Sequence, residues 1–418
     1  MTDPTAKTYP FAFGVMTILF FIWGFITALN DILIPHLKGA FNLSYTQAML
    51  VQFCFFGAYL IVSPFAGILI EKVGYKRGVV IGLTTIAAGC LIFYPAAEIE
   101  IYALFLFGLF TLASGITVLQ VSANPYVSIL GAEKTAASRL NLAQAINSVG
   151  HTVGPYFGAV LILGATASAA GMVDPKAVQL PYLLIAGFAV LVALGFSFLK
   201  LPVVAGEVNK FAGHENDPLI EQIKQIFRHR PLILGALAIF LYVGAEVAIG
   251  SFLVNFFAQA NIGNLTEEHA GKMVSYYWGA AMVGRFIGAA IMRVVPAYYV
   301  LAFNGVAAVI LITLTIMSEG NVAIWAILAV GFFNSVMFPT IFTMAIRGLG
   351  PLTGLGSGLL CMAIFGGAVL PVLQGVMADA TSVQLSFVVP IFCYLYIVWY
   401  AVWGQEKRSN QTQFEAAA

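Results

Sequence analysis

The sequence predicts an all-α integral membrane protein with twelve transmembrane helices arranged as two parallel six-helix repeats. The first observation is composition: 61% of the residues are hydrophobic and 9% are charged, whereas soluble domains carry about 25% charged residues. The second is the mean hydropathy of +0.94. The third is a series of apolar runs, and at roughly 20 residues per span a chain of 418 residues has room for about twelve of them.

The apolar runs, numbered here as segments 1 to 12, are separated by short polar or Gly/Pro breaks. They cover residues 11–35, 47–70, 78–96, 101–127, 140–164, 180–200, 232–258, 272–293, 298–317, 321–346, 355–378 and 384–404. The longest polar interval, 201–231, follows segment 6. The predicted domains are therefore an N-terminal six-helix bundle at 1–200, a cytoplasmic linker at 201–231 and a C-terminal six-helix bundle at 232–418.

The distribution of positive charge predicts the orientation of the chain. If the N-terminus is cytoplasmic, only Lys38, Lys176 and Lys272 of the 19 Lys and Arg residues fall outside, and Arg285 lies within segment 8. All the others are cytoplasmic, as the positive-inside rule requires. We therefore expect both termini in the cytoplasm, and we interpret the first apolar run as a retained helix and not as a signal peptide.

The two halves share motifs in the same order and at nearly the same offset. "AGILIEKVGYKRG" after segment 2 matches "IGAAIMRVVPAYY" after segment 8. Pro125 in "SANPYV" matches Pro339 in "MFPTIF", and Pro155 in "VGPYFGAVL" matches Pro371 in "VLPVLQGVM". Three ordered matches indicate two parallel repeats, which is the architecture of the major facilitator superfamily.

Few ionisable residues remain at membrane depth, and such residues are functional candidates by default. Asp31 in segment 1 and Glu246 in segment 7 are expected to bind substrate or the coupling ion. Arg285 is expected to snorkel or to brace the cytoplasmic gate, and we group it with Lys72 and Arg77 as gating residues. For His151 a neutral imidazole bound by a neighbouring helix is favoured over a proton carrier.

Neutral polar side chains gather on the same segments. The candidates for a substrate site are amides on segments 2, 4, 5 and 7, namely Gln52, Asn124, Gln144, Asn147 and Asn255, with Gln120 as a candidate for ion coupling. Asn141, Gln144 and Asn147 share one helix face. Each amide alone is better explained as a contact between helices. Together they predict a polar cavity for a polyhydroxylated ligand, with Trp278 or Tyr59 as an apolar platform.

No motif supports catalysis or the binding of a cofactor. The chain has no phosphate-binding loop, no HExxH and no soluble domain large enough for a nucleotide, and its four cysteines lack paired spacing. We therefore expect no enzymatic activity, no cofactor and no nucleic-acid partner. An ion gradient is expected to drive transport.

The stretches "LNDILIPHLKGAFNLSYTQAMLVQFCFFGAY", "ITVLQVSANPYVSILG" and "SRLNLAQAINSVG" resemble the fucose–galactose–glucose:cation symporter family of the major facilitator superfamily, and within it the bacterial glucose/galactose transporter branch. The resemblance runs along nearly the whole chain. It implies a cation-coupling carboxylate at Asp31, sugar contacts from Gln144 and Asn147, and a bend at Asn124–Pro125.

The sequence departs from the proton-coupled fucose branch at two positions, where Gln120 replaces a glutamate and Glu246 replaces a glutamine. An ionised Asp31 among amide and carbonyl oxygens suits Na⁺. The expected function is therefore alternating-access import of a neutral hexose, of glucose or galactose type, by sodium symport, with Asp31 as the Na⁺ ligand. The protein is expected to act as a monomer in the bilayer of a bacterial inner membrane.

Three alternatives stay open at this point. The first is a proton-coupled symporter for a fucose-like or amino sugar, and the second is a passive sugar facilitator. The third is a sugar sensor that does not transport, which the short linker and short C-terminal tail disfavour.

Overall fold

The computed structural model describes residues 9–41, 45–158, 175–202 and 218–415. These residues are almost entirely helical. In the N-terminal half the α-helices are α1 (Pro10–Ala40), α2 (Tyr45–Val73), α3 (Tyr75–Glu98), α4 (Tyr102–Ile129), α5 (Ala136–Gly158) and α6 (Gln179–Phe198). Short 3₁₀ turns precede α5 at Glu133–Thr135 and α6 at Pro175–Val178.

A short helix, α7 (Leu219–Arg228), lies inside the interval predicted as a linker, and its Ile226 is buried. Beyond it lie α8 (Arg230–Phe257), α9 (Glu267–Ile291), α10 (Ala297–Met317), α11 (Gly320–Asn334), α12 (Met337–Ala345), α13 (Thr353–Met362), α14 (Gly366–Ala380), α15 (Val383–Ser386) and α16 (Val388–Glu415).

Within the described residues, ten helical stretches are long and apolar enough to cross a membrane. They correspond to segments 1–4, 6, 7 and 9–12. Segment 5, which forms α5 and continues past the described residues, and segment 8, which forms α9, are not among the ten. Both helices carry polar side chains along their length, which lowers their hydropathy. The fold is therefore an all-helical, multi-pass membrane fold.

Segment 10 is broken at Ser335–Val336, between α11 and α12. The break has a local cause in Pro339, because proline has no N–H to donate to the carbonyl four residues earlier. That carbonyl belongs to Ser335. Segment 11 is also interrupted, by a 3₁₀ turn at Ala363–Phe365 between α13 and α14.

Segment 4 contains the matching proline, yet α4 continues through Pro125 as one helix. The carbonyl that Pro125 leaves without a helical donor is that of Val121. The hydroxyl of Ser357 on α13 donates to this oxygen at 3.0 Å. A serine from another helix thus satisfies the carbonyl that Pro125 frees.

The described residues form two compact units. The first comprises Met1–Gly131, Ile146–Ile223 and Gly348–Met362, and the second comprises Ala132–Ala145, Lys224–Arg347 and Ala363–Ala418, in each case as far as the ranges are described. Segments 5 and 11 are each divided between the units. The predicted domain boundaries at 200 and 232 stay a prediction.

Each unit is held together by close helix approach. In the first unit, a Cβ added at Gly115 on α4 would lie 2.5 Å from the backbone nitrogen of Ile86 on α3. In the second unit, a Cβ at Gly366 would collide with the carbonyl oxygen of Phe240 on α8. Glycine permits this contact between helix backbones, which is a common way for helices to associate in lipid.

Candidate functional site

Glu246 lies on α8 and forms the centre of a polar cluster in the second unit. The hydroxyl of Tyr242, one turn earlier on the same helix, donates to Glu246 Oε1 at 2.8 Å. Arg285 Nη2 on α9 lies 3.8 Å from the same oxygen. Both contacts involve Oε1, and among the described residues Oε2 accepts no hydrogen bond.

Arg285 also contacts the break in segment 10. Its Nε donates to the carbonyl oxygen of Ser335 at 3.1 Å, which is the carbonyl left without a helical partner by Pro339. One guanidinium therefore joins the carboxylate on α8 to the end of α11. The side chains of Arg285 and Glu246 are 15% and 12% exposed, so the pair is largely buried.

Two further tyrosines complete the cluster around Asn334, the last residue of α11. Asn334 Nδ2 lies 2.6 Å from the hydroxyl of Tyr277 on α9 and 3.4 Å from that of Tyr394 on α16. All three side chains are buried. Asn334 Oδ1 is buried and has no hydrogen-bond partner among the described residues, so this amide retains an unused acceptor at the helix break.

The three tyrosines of this cluster were not among the site residues predicted from the sequence. Tyr242 had one available signal, its position four residues before a carboxylate on a predicted helix, where the two side chains are neighbours. Tyr277 and Tyr394 had none, because they come from segments far apart in the chain and only the packing of α9, α11 and α16 brings them to Asn334.

In the first unit, Gln120 on α4 contacts Tyr59 on α2. The amide nitrogen of Gln120 donates to the Tyr59 hydroxyl, and both side chains are buried. The ring of Tyr59 also packs edge-on against Phe55, with the centroids 5.6 Å apart. Tyr59 therefore acts as a hydrogen-bonding partner of Gln120 in addition to supplying an aromatic face.

The amide face of α5 is used in different ways along its length. Asn147 Nδ2 donates to the carbonyl oxygen of Phe20 on α1 at 2.8 Å. Asn141 Nδ2 bonds to its own helix at Ala137 O and lies 3.2 Å from Thr340 Oγ1. Gln144 lies between them and is buried. The structure thus places Asn147 in a helix–helix contact, while its predicted role toward sugar stays a prediction.

Replacing Gln144 and Asn147 one at a time separates these two roles. We expect Gln144→Ala and Asn147→Ala each to raise the sugar concentration for half-maximal counterflow about tenfold, because a bound hydroxyl loses its partner. Asn147→Ala should also lower the free energy of unfolding by about 1 kcal/mol, because the Phe20 carbonyl loses its donor. Sugar counterflow and thermal unfolding in detergent measure the two effects.

Asn304→Ala is the matched control for this pair. Asn304 is a buried amide whose nitrogen donates to Val300 O on its own helix at 2.7 Å, and among the described residues it has no other hydrogen bond. Its replacement should leave half-saturation unchanged. If Gln144→Ala and Asn147→Ala behave in the same way, both amides serve helix packing alone.

The remaining candidates whose side chains are described differ in exposure. Trp278 is 44% exposed and packs edge-on against Tyr277, with the ring centroids 5.2 Å apart. Asn255, Lys72 and Arg77 are exposed, and Asn124 is fully buried. The side chains of Asp31 and Gln52 lie outside the described residues.

The comparisons with known proteins agree with this fold. The family model described as Major Facilitator Superfamily matches residues 13–370. The glucose/galactose transporter of Brucella abortus biovar 1 (strain 9-941) is 53% identical over 403 residues, covering 96% of each chain. The L-fucose-proton symporter of Escherichia coli K12 is 32% identical over 421 residues, covering 97% of this chain and 95% of that protein.

A solved structure shows the same architecture. The crystal structure of the E. coli fucose:proton symporter FucP superposes with a TM-score of 0.86 at 32% identity, covering 94% of this chain and 98% of that chain. A helical bundle with buried ionisable side chains in apolar helices is typical of multi-pass membrane transporters, and this chain is a transporter and not an enzyme. It belongs to the Major Facilitator Superfamily and, within it, to the fucose–galactose–glucose:cation symporter family.

Proposed function

We propose that this protein imports a neutral hexose of the glucose or galactose type by cation symport, using alternating access. The observation that carries the proposal is the cluster around Glu246, in which a largely buried carboxylate has one oxygen held by Tyr242 and Arg285. A carboxylate oxygen left available inside an apolar bundle suits the hydroxyl of a sugar, since a charged acceptor forms the stronger hydrogen bonds. The identity of 53% to a glucose/galactose transporter supports the same substrate class.

The site residues of the proposal come from both halves of the sequence. The residues that contact the sugar are Gln52, Asn124, Gln144, Asn147, Glu246, Asn255 and Trp278. Ion coupling depends on Asp31 and Gln120. The gating residues are Lys72, Arg77 and Arg285. The chain forms twelve transmembrane helices in two parallel six-helix repeats. The first repeat ends at residue 200 and the second begins at residue 232, and both termini lie in the cytoplasm. The protein sits as a monomer in the inner membrane of a bacterium.

Sodium is the proposed coupling ion, with Asp31 as its ligand. The supporting observation is that position 120 carries an amide, whose nitrogen bonds to Tyr59, so α4 offers no titratable group there. Na⁺ is a hard cation that takes oxygen ligands without a protonation step. Proton coupling is the second candidate, and the 32% identity to an L-fucose-proton symporter favours it.

Vesicles that contain the purified protein distinguish the two ions. We expect glucose or galactose to accumulate under an inward Na⁺ gradient at equal pH on both sides, and not under a pH gradient in Na⁺-free buffer, because Asp31 is loaded by Na⁺. The measurement is accumulation of labelled sugar, collapsed by a sodium ionophore in the first case. Accumulation under the pH gradient alone would establish proton coupling, and equilibration without accumulation under either gradient would establish a facilitator.

A further inference from the structure

Arg285 is the described cation that contacts Glu246, and its surroundings explain why a guanidinium is needed there. The guanidinium lies 3.8 Å from Glu246 Oε1 and donates to the Ser335 carbonyl at 3.1 Å. Arginine can make both contacts at once because its donors form a planar fork, whereas lysine carries a single charged centre.

The pair is largely buried, so the charge on Glu246 depends on compensation by groups close to it. An ionised group in a low-dielectric interior is stable only when an opposite charge and hydrogen bonds compensate it. Tyr242 adds a hydrogen bond to the same carboxylate oxygen. A nearby cation and a hydroxyl donor both favour the ionised carboxylate, and burial favours the neutral one.

We propose that Arg285 is a positioning residue for the sugar-accepting carboxylate. Together with Tyr242 it holds Glu246 charged and oriented through Oε1, and it anchors this arrangement to the break between α11 and α12 through the Ser335 carbonyl. This role differs from gating and rests on the proposed function, because it takes Glu246 to be a sugar acceptor. Sugar affinity then depends on the pair and not on Glu246 alone.

Among the described residues, the titratable and charged groups close enough to interact with Glu246 lie on three helices. On α8 the group is Tyr242; on α9 the groups are Arg285 and Tyr277; on α16 the group is Tyr394. Segment 10 adds two neutral residues behind these groups. Asn334 bonds to the Tyr277 hydroxyl, and the Ser335 carbonyl accepts from Arg285. Among the described residues, Arg285 is the charged member of this set besides Glu246 itself, so its removal leaves neutral phenols from that part of the chain near the carboxylate.

The test compares Arg285→Gln, Arg285→Lys and the double variant Glu246→Gln/Arg285→Gln in sugar counterflow, with equal Na⁺ on both sides, from pH 6 to 9. At pH 7 we expect the sugar concentration for half-maximal counterflow to rise about tenfold in Arg285→Gln, because Glu246 takes up a proton once the nearby cation is gone. As the pH rises the carboxylate ionises again, so half-saturation should fall back toward the wild-type value. The wild type should be flat over this range.

The other two variants show whether Glu246 is the origin of that pH dependence. In the double variant the pH dependence should disappear, because no carboxylate remains to titrate. Arg285→Lys should restore a flat profile, since it keeps the charge. A purely structural role for Arg285 would change the amount of folded protein and the maximal rate but would create no pH dependence.

Tyr242→Phe provides a second route if the arginine variants do not fold. It removes only the hydroxyl that donates to Oε1, and we expect half-saturation to rise about fivefold. Lys176→Gln is the control, because it breaks an exposed ion pair with Glu98 and exposed pairs contribute little.

Wild-type half-saturation in Arg285→Gln at every pH, or a pH dependence that persists in the double variant, would overturn the inference. With unfolded arginine variants, an unchanged Tyr242→Phe would do the same. A wild-type protein without hexose counterflow would instead overturn the proposed function, so the two failures are distinguishable.

Discussion

Asp31→Asn is expected to abolish accumulation of sugar while leaving exchange intact. The carboxylate is the group that distinguishes the cation-loaded carrier from the empty one, and without it the ion gradient has no differential affinity through which to act. One charge moved through 100 mV supplies about 2.3 kcal/mol, which concentrates a neutral solute about fiftyfold. In Asp31→Asn vesicles the ratio of sugar inside to sugar outside should fall to about one.

The measurement uses two assays on the same vesicles: accumulation under a Na⁺ gradient, and counterflow with no gradient. Asp379→Asn is a suitable control because Asp379 is an exposed carboxylate near the end of α14. It should accumulate sugar as the wild type does. Accumulation at the wild-type level by Asp31→Asn would show that the coupling carboxylate lies elsewhere in the chain.

Glu246→Gln is expected to weaken sugar binding and to leave the ion requirement in place. The amide keeps the shape of the side chain but loses the charge that strengthens a hydrogen bond from a sugar hydroxyl. Half-saturation should rise about ten- to a hundredfold, the usual worth of a hydrogen bond to a charged group. The substitution also removes the negative charge that Arg285 contacts, so the amount of folded protein should be measured in parallel.

Uptake by the same vesicles under a Na⁺ gradient alone, and then under a pH gradient alone, separates acceptor from proton carrier. If Glu246 is a sugar acceptor, the Glu246→Gln variant retains Na⁺-driven uptake with reduced sugar affinity. If Glu246 is a proton carrier, the variant keeps the wild-type sugar affinity and loses the pH dependence of uptake. That result would establish proton coupling in place of sodium coupling. Glu98→Gln, which changes an exposed carboxylate, is the matched control.

The sequence predicted the membrane class and much of the helix order because both depend on local composition. Ten of the apolar runs are found as helical stretches long enough to span, since a helix is the structure that satisfies every backbone polar group within one segment in lipid. The match between Pro125 and Pro339 was also visible in the sequence. What each proline does was not: α4 continues through the first, whereas the second follows the break between α11 and α12.

The sequence also identified single chemical groups without their partners. Glu246 and Arg285 stood out as ionisable residues in apolar runs, and the cost of unpaired charge in lipid makes such residues conspicuous. Their contact could not be deduced, because Arg285 was equally compatible with snorkelling to the membrane surface. Asn147 likewise stood out as an amide, but its bond to the Phe20 carbonyl depends on how α5 packs against α1.

The sequence by itself therefore determined the helical membrane class, the family and the short set of polar residues from which a site can be built. These features follow from hydropathy and from motifs within single segments. Only the tertiary structure decided which of those residues meet: Arg285 on α9 contacts Glu246 on α8, where Tyr242 also lies, and Asn334 on α11 meets tyrosines from α9 and α16. The physical reason is that buried polar groups must be paired, while the choice of partner depends on packing between segments that are far apart in the chain.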